Sequence, residues 1–329
     1  MANDTLVIIP TYNEVENLPL IVGRVLAAQD GVDVLVVDDN SPDGTGAKAD
    51  ELAAEHDEVN VLHRAGREGL LAAYRDGFRW GLERDYQVFV QMDADGSHAP
   101  EELGRLLGAI DDGADLVIGS RYIDGGEVKN WPKNRYLLSK LGNEYIALAL
   151  GGDVKDMTAG YRAFKRETLE ALDFDALSGK GYIFQVEVAH KAEQLGFDVR
   201  EVPVTFEDRK LGESKLDASF AAASLAEVTK WGVQDKATIV KDLSTETGRQ
   251  IVHAAEQSKL SGLGKRIEGA PEQVVNAISE FVPVVKHEVE GLQLGSLRTR
   301  AARRTNDAIN LGAETIRQAL HALGLDSKK

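Results

Sequence analysis

The chain has 329 residues, 43% hydrophobic and 28% charged, enough for a sizeable core in one large domain or about two. It contains no cysteine, which excludes a disulfide framework, a Cys zinc site and a thiol nucleophile. A net charge of −16 argues against general nucleic-acid binding and leaves any phosphate site to local basic residues.

The opening MANDTLVIIPTYNE has no basic leader and too short an apolar run for a signal peptide. No window of about 18 apolar residues predicts a membrane-spanning helix. Together with the missing cysteines, this is the expectation for a reducing cytoplasm.

Strand-like and helical segments alternate through the first half, the pattern of a parallel α/β sheet. Thr5–Ile9 is an apolar run ended by Pro10, and Asn17–Gln29 has helical spacing. Val34–Val37 predicts a second buried strand ending at Asp38-Asp39, followed by the turn SPDGTG and a helix over Ala47–His56. Val59–Leu62 is a third strand, Gly69–Arg84 a long helix, Val88–Val90 a fourth strand and Glu101–Asp111 the next helix. Leu116–Ile118 reads as a strand running into Gly119-Ser120-Arg121-Tyr122. Asp124–Trp131 reads as a polar glycine-rich loop, Asn134–Leu150 as a helix, and Ala163–Phe164 as a strand after a small-residue turn. Phe184–Leu195 is expected to be an amphipathic helix and Val199–Phe206 a single strand with period-2 alternation. Asp208–Lys215 is a charged loop and Asp217–Leu243 a helix.

Beyond Ser244 only helical periodicity remains, as at Ile309, Ile316, Leu320 and Leu323. This tail carries 12 basic and 10 acidic residues, net +2, which leaves the first 243 residues with 26 basic and 44 acidic, net −18. The shift places a boundary near residue 243, between a catalytic domain (1–243) and an amphipathic helical C-terminal extension (244–329). The arginine cluster of the tail (Arg298, Arg300, Arg303, Arg304) suits an anionic membrane surface, and packing against the domain or between subunits is the alternative.

The chemistry concentrates at strand ends, where open α/β sheets bind ligands. In VFVQMDADGSHAP, Asp93 and Asp95 stand two apart after a strand, and Gly96 permits the bend that would let both carboxylates meet one hard cation such as Mg²⁺ or Mn²⁺. An isolated motif of this kind is equally a strand-end turn in which Asp95 or Ser97 caps the next helix. PTYNE (Pro10–Glu14) offers the Tyr12 ring to a nucleobase, and Glu14, Asp38 and Asp39 are acceptors for base N–H groups or ribose hydroxyls. DNSPDGT alone is also a good turn. No GxGxxG or GxxxxGK[ST] occurs, which disfavours dinucleotide oxidoreductases and P-loop enzymes. His98 is the histidine nearest these carboxylates, as a base or as a plain helix-start residue.

Those three motifs, in that order, resemble glycosyltransferase family 2, whose fold is of the GT-A type. GSRY (Gly119–Tyr122), NWPKNR with Ser139, TAGYRAFKR (Thr158–Arg166), GKGYIFQVE (Gly179–Glu187) and EDRKLGESK (Glu207–Lys215) look like the polyprenol (dolichol) phosphate mannosyltransferases, and the likeness covers about residues 5–232. The resemblance implies an α/β GT-A nucleotide-sugar-binding fold with a mostly parallel central sheet, followed here by an all-helical extension outside the likeness. It implies an inverting, metal-dependent enzyme that moves mannose from GDP-mannose to a polyprenyl monophosphate. A related transferase using UDP-glucose or another donor, or a non-catalytic nucleotide-sugar scaffold, is the alternative.

Carried onto this chain, the likeness assigns Pro10, Tyr12, Glu14, Asp38, Asp39, Asp93, Asp95, Lys180, Arg209 and Lys215 to the donor. Mg²⁺ or Mn²⁺ falls to Asp93, Asp95 and the position of Ser97, where many relatives carry Gln. Arg121, Arg135 and Ser139 fall to the acceptor phosphate, and Asp95, Arg121 and Arg135 to catalysis. Gly212 makes EDRKLGESK a hinged loop over the donor diphosphate. A lipid acceptor implies peripheral contact with the cytoplasmic face of a membrane, or with a membrane-embedded partner, and no nucleic acid.

Overall fold

The computed structural model describes residues 3–177, 179, 181, 183–207 and 227–232. These fall into two compact units, one of residues 3–131 with those from 154 to 207, the other of residues 132–153 with 227–232.

The first unit is built on a seven-stranded sheet. Its apolar runs fold as β1 (Thr5–Thr11), β2 (Val32–Asp38), β3 (Val59–His63), β4 (Val88–Gln91) and β5 (Leu116–Ser120). The intervening 3.6-periodic stretches form α1 (Leu18–Ala28), α2 (Thr45–Glu55), α3 (Leu70–Leu82) and α4 (Leu103–Asp111), the last preceded by a 3₁₀ turn at Pro100–Glu102. With β7 (Arg162–Lys165) and β8 (Val199–Pro203) the strand order is β3-β2-β1-β4-β7-β5-β8. All pairs are parallel except those of β7, which runs antiparallel to both β4 and β5.

Near-continuous apolar composition follows from burial on both faces. On one face Val7, Ile9, Val34, Val36 and Val90 pack with Leu18, Ile21, Val22 and Val25 of α1 and with Leu103 and Leu106 of α4. On the other, Phe78 of α3 meets Phe89 and Phe164 edge-on, with ring centroids 6.2 and 5.7 Å apart. Helix α3 lies close to the sheet because two of its residues lack side chains. A Cβ on Gly81 would come 2.5 Å from Phe89 and 2.8 Å from Leu6, and one on Gly77 2.7 Å from Ile8.

Parallel pairing in register, with Thr11 beside Asp38 and Ile8 beside Gln91, brings the carboxyl ends of β1, β2 and β4 together. The sheet order changes direction at β1 and β4, and the crevice above such a point is where α/β sheets hold ligands.

Three sequence expectations are corrected here. Val199–Phe206 is two strands: β8 extends the main sheet, and β9 (Thr205–Glu207) pairs with β6 (Glu127–Lys129) in a separate two-stranded sheet. Val204 is the switch, its N–H donating to Ser120 of one sheet and its carbonyl accepting from Glu127 of the other. β6 itself lies inside the stretch read as a loop, because its partner is nearly eighty residues away and leaves no local signal. The helix Ile183–Gln194, expected to be amphipathic, is buried continuously from Ile183 to His190, including Gln185 and Glu187. Of these, Glu187 is engaged internally: it accepts the Gly179 N–H and pairs with Lys191.

The second unit contains α5 (Lys133–Leu150), where Tyr145 and Thr229 share a hydroxyl hydrogen bond and the Gly232 backbone lies against the Ala149 carbonyl. The helix thus groups with residues 227–232, while the boundary expected at 243 and the extension to 329 lie outside the described residues. Among the described residues no helix is long and apolar enough to cross a membrane.

Candidate active site at the strand ends

Two of the predicted loops are sewn together. The N–H groups of Asn13, Glu14 and Val15, after β1, donate to Ser41 Oγ (3.1 Å), Thr45 Oγ1 (2.9 Å) and Asp43 Oδ2 (3.3 Å), after β2. Both loops turn through an asparagine in the left-handed region, Asn13 at φ 63° and Asn40 at φ 57°, a conformation asparagine tolerates better than most residues. Asp43 Oδ1 also accepts the Thr45 N–H and hydroxyl, as the turn reading of DNSPDGT expects.

The acidic pair after β2 divides into different roles. Asp38 Oδ1 accepts the hydroxyls of Thr11 (3.2 Å) and Ser41 (2.6 Å), and Oδ2 accepts the Ser41 N–H. Asp39 is paired with Arg64, an arginine after β3 whose side chain is 5% exposed and which also reaches Asp76 on α3. Burial pushes the Asp39 carboxyl up from its ordinary value against the pull of that guanidinium. Arg64 was not singled out from sequence, and a lone arginine after a strand carries no signal there. Tyr12 has the Arg67 guanidinium 4.3 Å from its ring centroid, so one of its flat faces is already stacked on a cation. Glu14 accepts the Asn17 side-chain amide, and Pro10 lies within β1.

At the end of β4 the chain bends as Gly96 predicts, with φ 76°. Asp93 Oδ1 is 3.4 Å from Tyr74 Oη, and Asp95 Oδ1 accepts the Ser97 N–H at 3.0 Å. Ser97 is 3% exposed. No group of three His, Cys, Asp or Glu residues that could hold a metal occurs among the described residues. The donor set is thus two carboxylates on one turn, which fits a hard divalent cation that takes its remaining ligands from water and substrate phosphates.

Arg121, at the end of β5, is buried. Its backbone N–H, Nε and Nη2 donate to the Asp156 carboxylate at 2.9, 2.7 and 2.6 Å, and Nη2 also reaches Thr158 Oγ1 at 2.9 Å. The rings of Tyr122, Trp131 and Phe206 lie 5.1 to 5.5 Å from the guanidinium carbon. Burial works against the charge, but Asp156 more than offsets it and holds the guanidinium above its ordinary value. Nε and Nη2 are thus both committed to Asp156, so Arg121 does not present an open two-nitrogen fork.

The turn that supplies Asp156 and Thr158 is fixed by a second buried arginine. Arg162 donates Nε, Nη1 and Nη2 to the carbonyls of Ala159, Gln185 and Met157, each at 2.8 Å. Burial pushes this guanidinium down to about 9, which leaves it cationic at neutral pH. Asp156, Thr158 and Arg162 all lie in or beside the segment TAGYRAFKR and went unassigned in the sequence reading.

The first unit thus gathers Pro10, Tyr12, Glu14, Asp38, Asp39, Asp93, Asp95, Ser97 and Arg121. Arg135 and Ser139 stand four apart on one face of α5, in the second unit. Lys180, Arg209 and Lys215 lie outside the described residues.

The family described as glycosyl transferase family 2 matches residues 6–173. Polyprenol monophosphomannose synthase of Mycolicibacterium smegmatis is 58% identical over 233 residues, covering 70% of this chain and 88% of that protein. Undecaprenyl-phosphate mannosyltransferase of Micrococcus luteus is 54% identical over 228 residues, covering 69% of this chain and 93% of that one. Among solved structures, glucosyl-3-phosphoglycerate synthase from Mycobacterium tuberculosis, in complex with Mn²⁺, UDP and phosphoglyceric acid, superposes with a TM-score of 0.53 at 18% identity, over 70% of this chain and 78% of that one. That likeness concerns the fold.

Proposed function

The chain belongs to glycosyl transferase family 2, and from that premise we propose that it transfers mannose from GDP-mannose to a polyprenyl monophosphate with inversion at the anomeric carbon. The observation that carries this reading is the similarity at 58% identity to a polyprenol monophosphomannose synthase over 88% of that protein's length. The site's donor set is chemically suited to it.

In this reading Tyr12, Glu14, Asp38 and Asp39 face the nucleoside, with Asp38 and Asp39 acting chiefly by shaping the loops, since their oxygens are engaged by Thr11, Ser41 and Arg64. Asp93 and Asp95 would hold Mg²⁺ or Mn²⁺, which when bound offsets charge on the departing diphosphate. Lys180, Arg209 and Lys215 are assigned to the same diphosphate. Arg121, Arg135 and Ser139 are assigned to the acceptor phosphate, whose oxygen is anionic near neutral pH and needs no strong base. The work left to the protein is alignment of that oxygen behind the anomeric carbon and stabilisation of the leaving group.

A lipid acceptor calls for peripheral contact with the cytoplasmic face of a membrane, or with a membrane-embedded partner. Incubation with GDP-mannose, polyprenyl phosphate and Mg²⁺ should yield polyprenyl phosphate mannose and GDP. Turnover with UDP-glucose in its place would reassign the donor, and no turnover with any nucleotide-sugar would remove the enzyme reading.

A further inference from the structure

The last ladder bond of β4 is made by Met92, whose N–H donates to Ile8 of β1 at 3.2 Å. Asp93, one residue on, has left the sheet, and its N–H needs a partner in a partly buried setting. His98 supplies it: Nδ1 accepts the Asp93 N–H at 3.0 Å. The imidazole is 3% exposed, stacks on Tyr161 (centroids 5.0 Å apart, planes at 13°) and meets Phe206 edge-on at 5.8 Å. A backbone bridge joins His98 to Phe206, and Ser97 accepts the Glu207 N–H.

We infer that His98 is a positioning residue for the two carboxylates: its unprotonated Nδ1 closes the Asp93–His98 turn and so sets where Asp93 and Asp95 point. Nδ1 is engaged by the Asp93 N–H, one ring face lies on Tyr161, and the residue is 3% exposed, so the ring is committed to this packing. The Asx turn in which Asp95 accepts the Ser97 N–H is nested inside this closure, and the two bonds together hold both carboxylates. The inference rests on the proposed metal-assisted donor site.

Two substitutions separate the hydrogen bond from the ring. His98→Phe keeps the stack and removes the acceptor, and His98→Asn keeps an acceptor at the same branch of the side chain and removes the stack. Mn²⁺ binding is read by electron paramagnetic resonance on the full chain with saturating GDP, alongside the melting temperature. The expected result is Mn²⁺ affinity reduced roughly tenfold or more in His98→Phe, because a buried donor is left unmet. His98→Asn should stay within about threefold of the parent although it melts lower. The reverse order, with Phe retaining Mn²⁺ and Asn losing it, assigns the role to ring packing and overturns the inference. Tyr161→Leu removes the stack and leaves the bond, so a tenfold loss of Mn²⁺ there overturns it as well, even if His98→Phe does not fold. Failure of the parent itself to bind Mn²⁺ with GDP would overturn the metal-site reading and the His98 role together.

Discussion

Replacing Asp156 with asparagine isolates the energetics of the buried pair with Arg121. The two side chains are 0% and 8% exposed, so little water screens the charge left behind. Three hydrogen bonds converge on that carboxylate, from the Arg121 backbone N–H, Nε and Nη2. An amide in its place keeps one oxygen and turns an NH₂ group toward a guanidinium that can only donate. Removing one partner of such a pair costs about 3–5 kcal/mol, most of it the penalty of a buried cation with no counter-charge. A pair such as Arg24–Glu101, with side chains 43% and 57% exposed, contributes under about 1 kcal/mol. Urea unfolding at pH 7 with an unchanged slope reads the difference directly. At roughly 2–4 °C per kcal/mol, the melting temperature should fall by on the order of 10 °C. Combining Asp156→Leu with Arg121→Met should recover most of the loss, since apolar replacement of both partners is often neutral. A loss below about 1 kcal/mol in Asp156→Asn, or additive losses in the double substitution, would refute the reasoning.

Asp95→Asn should abolish transfer, a loss of several kcal/mol of transition-state stabilisation, and should weaken GDP-mannose binding only in the presence of metal; calorimetry with and without Mg²⁺ checks the binding. Arg135→Ala should raise the apparent KM for polyprenyl phosphate by about one to two decades and spare donor binding, with Lys215→Ala doing the reverse, as a steady-state matrix of both variants would read. Gly81→Ala should destabilise by about 1–3 kcal/mol, because its Cβ meets Phe89 and Leu6, whereas Gly23→Ala on the open face of α1 should stabilise by about 0.5–1 kcal/mol; the two urea midpoints should move in opposite directions. The Asp198 N–H and Lys165 hold the Asp115 carboxyl below its ordinary 3.8, so its contribution is present above that value and is lost as pH falls through the lower folded value. Asp115→Asn should therefore cost about 1 kcal/mol at pH 7 and nothing once pH is below the folded value, as unfolding across that range would show.

Local composition was sufficient for much of this protein. Strands β1 to β5 and helices α1 to α4 were legible because buried parallel strands are continuously apolar and their covering helices carry a 3.6-residue stripe, both encoded within a dozen residues. The loops that carry Asp38, Asp39, Asp93 and Asp95 were legible because glycine, asparagine and proline mark where a strand must turn. What no window of sequence contained was pairing across distance. The antiparallel insertion of β7 between β4 and β5, the split at Val204 between two sheets, and the partnership of β6 with β9 depend on segments that meet only after folding. The same holds for side chains: Arg121 read as an open phosphate clamp until tertiary structure brought Asp156 against it, and His98 read as a base or a helix start until Asp93 presented its N–H. Sequence alone thus determined which chemical groups stand at the strand ends, because residue type and local spacing suffice for that. Tertiary structure alone decided which of those groups are already engaged, because burial favours pairing of polar atoms and the partner is usually far away in the chain.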